Sequence, residues 1–115
     1  MADALPHRGE IWLVKLDPTV GREQAGTRPG LIVSANGLNW SPSDLVIIVP
    51  LTTKQHNIIF HVAVGAADSG LGRDSFATCE DVRSVSRERL LKKVGRISPD
   101  CIAQVEYRLR VLLGL

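Results

Sequence analysis

The stretch LVIIVPLTT, Leu45 to Thr53, opens with five aliphatic residues and closes with two threonines. β-Branched residues favour an extended backbone, and a run without polar residues is typical of a strand buried on both faces. We therefore predict a central strand here, set off from its neighbours by segments rich in glycine, proline, asparagine and aspartate. The other predicted strands are Gly9–Lys15, Leu31–Ser34, Ile58–Val64 and Ser75–Cys79, with Val82–Val85 extending or following the last of them.

The C-terminal region predicts a helix. Ser98 is suited to cap this helix and Pro99 to begin it. Apolar residues then recur at spacings of three and four, which places them on one face. That stripe consists of Ile102, Val105, Leu109 and Leu112. It can seal the core of the protein or form a dimer interface, and the residues alone leave both open.

A second, shorter helix is predicted after Ser86, which can act as its cap. This helix would carry Leu90 and Leu91 and end at Gly95. Several short strands with few helices predict a fold that is mainly β with short helices (α+β). We expect a small, partly open barrel closed by the C-terminal helix.

Composition sets limits on size and partners. A length of 115 residues fits one domain, residues 1–115, and hydrophobic residues at 44% exclude a disordered chain. Aromatic residues are only 4%, so the core should be aliphatic. The net charge of +2 is too small to establish a nucleic-acid partner. Basic residues do cluster between Arg83 and Arg96, where Glu88 is the single acid.

Several common enzyme classes lack their motifs here. The histidines His7, His56 and His61 are scattered, so no metal site and no cofactor are predicted, and the chain has no phosphate-binding glycine motif or nucleophile elbow. His61 alternates with apolar residues, which favours a half-buried structural role, whereas His56 lies in a polar loop and is a candidate base. Cys79 and Cys101 lack metal-ligand spacing and are predicted to be free thiols.

Membrane and secretion segments are not expected, because no apolar run reaches the length that a membrane helix or a signal core requires. The sequence therefore predicts a cytoplasmic protein with no membrane partner.

The segment GREQAGTRPG, residues 21–30, is rich in side chains that form strong hydrogen bonds. Arg28 precedes a proline, which favours an extended backbone and presents the guanidinium at the mouth of the next strand. The planar guanidinium group can donate two parallel hydrogen bonds, which suits a phosphate. Arg22, Glu23 and Gln24 offer donors and acceptors suited to the base edges of an unpaired strand. Composition alone favours a simpler alternative, an exposed loop whose glycines make turns.

Four segments together resemble the successive motifs of the MazF/PemK (Kid) family of toxin endoribonucleases. They are RGEIWLVKLDPTVGREQAGTRPGLIVS (8–34), VIIVPLTTK (46–54), GLGRDSFATCEDVRSVSRERL (70–90) and LGL (113–115). The match spans nearly the whole chain, and its first segment is specific. The resemblance implies an SH3-like barrel, a homodimer and the toxin role in a type II toxin–antitoxin system. It also implies metal-independent cleavage of single-stranded RNA to 2′,3′-cyclic phosphate and 5′-hydroxyl ends, and a cognate antitoxin with an acidic C-terminal tail.

The resemblance assigns residues by motif. The arginine of the family's E-Q-x-G-x-R-P motif falls on Arg28 and the threonine of its P-L-T motif on Thr52, which makes these the expected catalytic pair. The expected RNA-binding or supporting residues are Arg22, Glu23, Gln24, Lys54 and Glu80. The general base stays open among Glu23, Glu80 and His56. Asp81 departs from the family's usual glutamine, and Arg22 from the histidine of some relatives.

RNA selectivity is expected from the loops 21–28, 35–44 and 54–57, since loops at strand ends carry recognition. Trp40 can stack on a base or pin its own loop. Two other functions remain open: a non-catalytic gyrase-binding toxin similar to CcdB, and a module that only sequesters the antitoxin. Neither of these needs Arg28 and Thr52.

Overall fold

The computed structural model of the protein describes residues 5–16 and 26–115. Within these ranges seven strands join one antiparallel sheet, accompanied by helices and two 3-10 turns. The strands are β1 (Glu10–Lys15), β2 (Thr27–Ile32), β3 (Leu45–Thr52), β4 (His61–Val64), β5 (Ser75–Thr78), β6 (Arg83–Ser86) and β7 (Leu90–Arg96). The helices are α1 (Asn36–Asn39), α2 (Ala66–Ser69) and α3 (Pro99–Leu113), and the 3-10 turns are Cys79–Asp81 and Arg87–Arg89.

The sheet is built around β3, as its apolar sequence predicts. β3 pairs with β2 on one side and with β5 and β6 on the other. β1 lies between β2 and β7, and β4 continues the sheet beyond β5. The prediction of a mainly β, partly open fold with a C-terminal helix is confirmed.

The predicted limits of β1, β3 and β5 are right to within one residue at each end. β2 begins earlier than predicted, because its first residues pair with the end of β1 through Val14↔Arg28 and Lys15↔Thr27. β4 begins later, because the N–H of His61 donates to the carbonyl of Ile58 and closes a turn before the strand.

Two hydrophobic clusters occupy opposite faces of the sheet, since neighbouring residues of a strand point to opposite sides. One cluster packs under α3 and is made by Ile11, Leu31, Val49, Leu51, Val62, Val64, Ala77, Cys79, Ile97 and Val105. The other is made by Trp12, Val14, Leu16, Ile32, Val46, Ile48, Val85 and Leu90. Trp12 is therefore a core residue, and the face turned away from α3 is the one that carries this second cluster.

The C-terminal helix forms as the sequence predicts. Ser98 Oγ accepts a hydrogen bond from the backbone N–H of Cys101 at 3.1 Å, and a proline occupies the first turn. Val105 is fully buried, and the other members of the predicted stripe pack half-buried against the same cluster. The stripe therefore seals the core of the protein. No helix in the described ranges is long and apolar enough to span a membrane.

The prediction of a short helix carrying Leu90 and Leu91 is wrong, because these residues begin β7. Ser86 does act as a cap, but its Oγ accepts the N–H of Glu88 at 3.2 Å and caps only one 3-10 turn. β7 is extended because its residues pair along β1, with Leu90 opposite Val14. Tertiary pairing overrides the local helix signal here.

Gly95 allows a close contact rather than ending a helix. It lies inside β7, where α2 approaches the strand, and a Cβ placed on it would meet the carbonyl oxygen of Ser69 at 1.9 Å. Only a residue without a side chain permits this approach.

The N-terminal segment is held to β1 by one buried carboxylate. Glu10 accepts hydrogen bonds from the backbone N–H of His7 at 2.8 Å and from Nε1 of Trp12 at 3.0 Å. Its other oxygen lies 2.9 Å from Nζ of Lys93. Burial on its own would raise the pKa of Glu10, but the bonds from His7, Lys93 and Trp12 together hold it below its ordinary value.

Candidate active site

Arg28 and Thr52 lie on neighbouring strands, at the same end of the β2–β3 pair. The pairing Gly30↔Pro50 sets the register. Arg28 is two residues before Gly30 and Thr52 is two residues after Pro50, so both lie just beyond this last pair, each on the same face of the sheet as its paired neighbour. Paired residues of antiparallel strands project to the same face. The two residues that the sequence marks as a pair are thus brought to one edge of one face.

The side chain of Thr52 is held in a defined orientation. It is buried, and its Oγ1 accepts the backbone N–H of Lys54 at 3.2 Å. A hydroxyl has one proton and two lone pairs. With one lone pair occupied by this N–H, the hydroxyl proton of Thr52 remains available to an anionic acceptor. Lys54 is exposed and only two residues away, so its ammonium group belongs to the same end of the sheet.

The ends of the segment between β1 and β2 lie close to this site. The N–H of Leu16 donates to the carbonyl of Gly26 at 2.9 Å, which joins the two ends beside Arg28. Arg22, Glu23 and Gln24 lie outside the described residues, and their expected roles stay predictions.

His61 and Glu80 form a pair that the sequence analysis missed. Nε2 of His61 lies 2.6 Å from Oε2 of Glu80. The side chain of His61 is only 6% exposed, whereas that of Glu80 is 32% exposed. The exposed ring of His56 packs edge-on against His61, with 6.0 Å between centroids. His61 was correctly expected to be a half-buried strand residue, but it also connects two of the candidate bases.

The strand residues His61, Thr52 and Arg28 share the face of the sheet that is turned away from α3. In β4 and β5 the residues opposite one another are His61 and Thr78, and in β5 and β3 they are Phe76 and Thr52. Their neighbours Val62, Ala77 and Leu51 point into the cluster beneath α3. The residues on this face are His61 and Ala63 in β4, Phe76 and Thr78 in β5, Pro50 and Thr52 in β3, and Arg28 and Gly30 in β2.

Arg83 extends this face along β6. It pairs with Ile48 and so projects to the same side of the sheet. Its Nη1 is buried and has no hydrogen-bond partner among the described residues. A buried guanidinium nitrogen without a partner is costly, so this group is suited to a ligand that supplies an acceptor. The one available sequence signal was the basic stretch that begins at this residue.

The loop 35–44 does not reach the site. It connects the end of β2 to the start of β3, whereas Arg28 and Thr52 occupy the start of β2 and the end of β3. A strand as long as β3 separates its two ends by about 23 Å, at roughly 3.3 Å per residue. Trp40 is 46% exposed, but its Nε1 donates to the carbonyl of Pro6 at 2.8 Å and its ring packs edge-on against His7. Trp40 therefore pins its own loop to the N-terminal segment.

The two cysteines are free thiols, as predicted. Burial, and then the nearby negative charge of Glu80, raise the pKa of the Cys79 thiol to about 11. Burial also raises the pKa of Cys101. Both thiols are thus held in the protonated form, which is a poor nucleophile. Within the described ranges no three His, Cys, Asp or Glu side chains are grouped so as to hold a metal ion.

The fold and this face bring together groups that are suited to an anion. A curled antiparallel sheet closed by a C-terminal helix presents two arginines, a hydroxyl and a carboxylate on one open side. Arginines and hydroxyls are the groups that grip phosphate oxygens.

Residues 7–113 match the family of PemK-like, MazF-like toxins of type II toxin–antitoxin systems, so the chain belongs to that family. The chain is 37% identical to endoribonuclease MazF9 of Mycobacterium tuberculosis (strain ATCC 25618 / H37Rv) over 113 residues, which cover 94% of this chain and 96% of the relative.

Solved structures have the same fold. MazF from Deinococcus radiodurans superposes with a TM-score of 0.87 at 27% identity, over 98% of this chain and 100% of that one. A mycobacterial endoribonuclease in complex with its cognate antitoxin superposes with a TM-score of 0.79 at 26% identity, over 96% of both chains.

Proposed function

We propose that this protein is a toxin endoribonuclease that cleaves single-stranded RNA at short sequence motifs, without a metal ion. The observation that carries the proposal is the placement of Arg28 and Thr52 at the same end and on the same face of the β2–β3 pair. The name of MazF9 supports the activity.

The proposed reaction uses the RNA's own 2′-hydroxyl as the nucleophile. Its oxygen bonds to the adjacent phosphorus as its proton leaves to a base, and the bond from phosphorus to the 5′-oxygen then breaks. The 5′-oxygen takes up a proton, which leaves a 2′,3′-cyclic phosphate on one product and a 5′-hydroxyl on the other. DNA lacks the nucleophile and should not react.

Arg28 is proposed to stabilise the phosphorane, because its fork can donate two hydrogen bonds to oxygens that gain charge in the transition state. Thr52 is proposed to donate its hydroxyl proton to a phosphate oxygen rather than to attack, since among the described residues no base is hydrogen-bonded to it to make it a nucleophile. Lys54 and the residues Arg22, Glu23 and Gln24 are proposed to position the RNA.

Glu80 is the best supported of the candidate bases. Glu23 lies outside the described residues, and His56 contacts His61 only through its ring edge. Glu80 combines a partly exposed carboxylate with a fixed partner on the proposed RNA face. A positioned base contributes about 10²- to 10⁴-fold to the rate.

The proposed antitoxin carries an acidic C-terminal tail that competes with RNA for the basic groups on this face. The mycobacterial relative in complex with its cognate antitoxin supports such a partner. Because the substrate is messenger RNA, the proposed place of action is the cytoplasm.

A homodimer is proposed through the C-terminal end of α3. Val111, Leu113 and Leu115 are 52, 61 and 86% exposed there. Leu113 and Leu115 line a groove of about 320 Å³ together with Val33 and Val82. Apolar side chains in such number at one place are typical of a subunit contact. Sedimentation at micromolar concentration tests this, and a monomer would overturn it.

The test of the activity is incubation with a long single-stranded RNA in EDTA, beside Arg28→Ala and a DNA of the same sequence. Discrete RNA fragments with cyclic phosphate and 5′-hydroxyl ends, absent with the variant, would support the proposal. Intact RNA would reject it and favour a gyrase-binding or antitoxin-binding toxin. Cleavage that requires an added divalent ion would reject the metal-free mechanism.

A further inference from the structure

His61 makes a contact that its place in the fold does not require. It is paired with Thr78 across β4 and β5, and its side chain turns onto the face that carries Thr52 and Arg28. There its Nε2 lies 2.6 Å from Oε2 of Glu80. The 3-10 turn that carries Glu80 begins directly after β5, so the strand register brings the two side chains together.

Exposure separates the roles of the two residues. With 6% of its side chain exposed, His61 offers little surface to a bound RNA, whereas Glu80, which is 32% exposed, offers more. In a histidine–carboxylate pair, the exposed member meets the substrate and the buried member orients it.

We propose that His61 is a positioning residue that holds the carboxylate of Glu80 against the RNA. The proposal rests on the endoribonuclease function proposed above. His61 fixes Oε2, and Oε1, which forms no hydrogen bond among the described residues, receives the proton of the attacking 2′-hydroxyl.

The hydrogen bonds of the ring determine which nitrogen carries the proton. Nδ1 of His61 is buried and has no partner in the described part of the chain. A proton on Nδ1 would therefore be a buried donor without an acceptor, which is costly. The neutral ring with its proton on Nε2 donates to Glu80 and leaves only a lone pair on Nδ1. In the reaction Glu80 gains the proton that the 2′-hydroxyl loses, and His61 keeps its own proton.

The test compares two amide variants that differ by one methylene. The amide nitrogen of His61→Gln reaches the position of Nε2 and can still donate to Glu80, whereas that of His61→Asn stops near the position of Nδ1 and cannot. We expect His61→Asn to lower kcat by about 10- to 100-fold, the usual cost of a catalytic group misplaced by about 1 Å. KM should change less than kcat, and His61→Gln should recover most of the activity.

A double-mutant cycle separates positioning from a general structural role. If His61 acts through Glu80, His61→Asn should cause no further loss of kcat once Glu80→Gln is present. Independent, additive losses would overturn the proposal, as would equal kcat values for the two amide variants. If both His61 variants unfold, the single variant Glu80→Gln still tests the proposal. A kcat of Glu80→Gln equal to that of the wild type would refute it.

The outcomes also distinguish this proposal from the proposed function. RNA left intact by the wild-type protein, or cut equally by Arg28→Ala, removes the endoribonuclease itself. Cleavage that depends on Arg28 but not on His61 removes only the positioning role.

Discussion

Arg28 and Thr52 lie at the same end of the β2–β3 pair, each two residues beyond the pairing of Gly30 with Pro50. Arg28 is exposed and Thr52 is buried, so the pair offers an exposed guanidinium group beside a hydroxyl in a fixed position. The proposed chemistry depends on both features.

Replacement of Arg28 by lysine should abolish most of the activity although the charge is kept. A lysine ammonium is a point charge and cannot donate two parallel hydrogen bonds to the phosphorane. We expect kcat to fall by about 10²- to 10³-fold, the usual cost of removing a group that stabilises transition-state charge. Single-turnover cleavage measures the loss, and an unchanged melting temperature shows that the fold is intact. Lysine at near wild-type rate would mean that charge alone suffices.

Thr52→Val should lose activity, whereas Thr52→Ser should keep most of it. Valine has nearly the same shape but cannot accept the N–H of Lys54 or donate to the phosphate. We expect at least a roughly tenfold loss of kcat, the equivalent of one hydrogen bond to a charged group. Serine is the matched control. If valine and serine behave alike, Thr52 serves only as a strand residue.

Arg83→Gln should weaken RNA binding without destabilising the protein. The buried Nη1 of Arg83 has no partner among the described residues, so its removal relieves a cost in the free protein. We expect KM for RNA to rise roughly tenfold, the equivalent of one charge-assisted bond, and the melting temperature to stay level or rise. Arg96→Gln, an exposed position on the edge strand β7, is the control. Equal effects from the two variants would show that only net charge matters.

Gly95→Ala should destabilise the fold. The new Cβ would meet the carbonyl oxygen of Ser69 at 1.9 Å, and a backbone atom cannot turn aside as a side chain can. We expect the free energy of unfolding to fall by about 1–3 kcal/mol, the usual cost of overpacking. Gly37→Ala, where a Cβ would meet nothing within 4 Å, is the control for urea unfolding. A Gly95→Ala protein as stable as Gly37→Ala would contradict the close approach of α2 to β7.

Glu10 should make the free energy of unfolding depend on pH in the acid range. Its pKa in the folded protein lies below the ordinary value of 4.5. Its stabilising contribution is therefore complete at pH above that ordinary value and is lost as the pH falls through the lower, folded pKa. Glu10→Gln should be less stable than wild type by about 1–3 kcal/mol near neutral pH, and the gap should narrow in acid. Urea unfolding of both proteins across this range measures it, and a constant gap would rule out the charge of Glu10 as the cause.

The fold was largely predictable because β1, β3 and α3 carry their own signals. The apolar run of β3, and the serine cap, proline and spaced apolar residues of α3, each identify an element from local sequence. β7 was not predictable in this way. Ser86, Leu90 and Leu91 are compatible with a helix, and only pairing with β1 makes the segment extended.

The candidate site was predictable only for residues that a sequence motif identifies directly. Arg28 and Thr52 came from a family resemblance, and the structure places them on one face, although their catalytic roles stay proposals. The contact between His61 and Glu80 could not be found, because it depends on the register of β4 against β5. The exposure of Glu80 and the missing partner of Arg83 also depend on how the chain packs, so the sequence could not predict them.

The register of β2 and β3 ties the assembly of the site to folding itself. A slip of β2 by one residue would move Leu31 out of the cluster beneath α3 and point Arg28 toward that cluster, so the packing of the cluster disfavours this misaligned pairing. A chain that has buried its aliphatic residues has, by the same event, aligned its arginine with its threonine. Core substitutions should accordingly reduce the fraction of folded, active molecules and leave the kcat of each folded molecule unchanged.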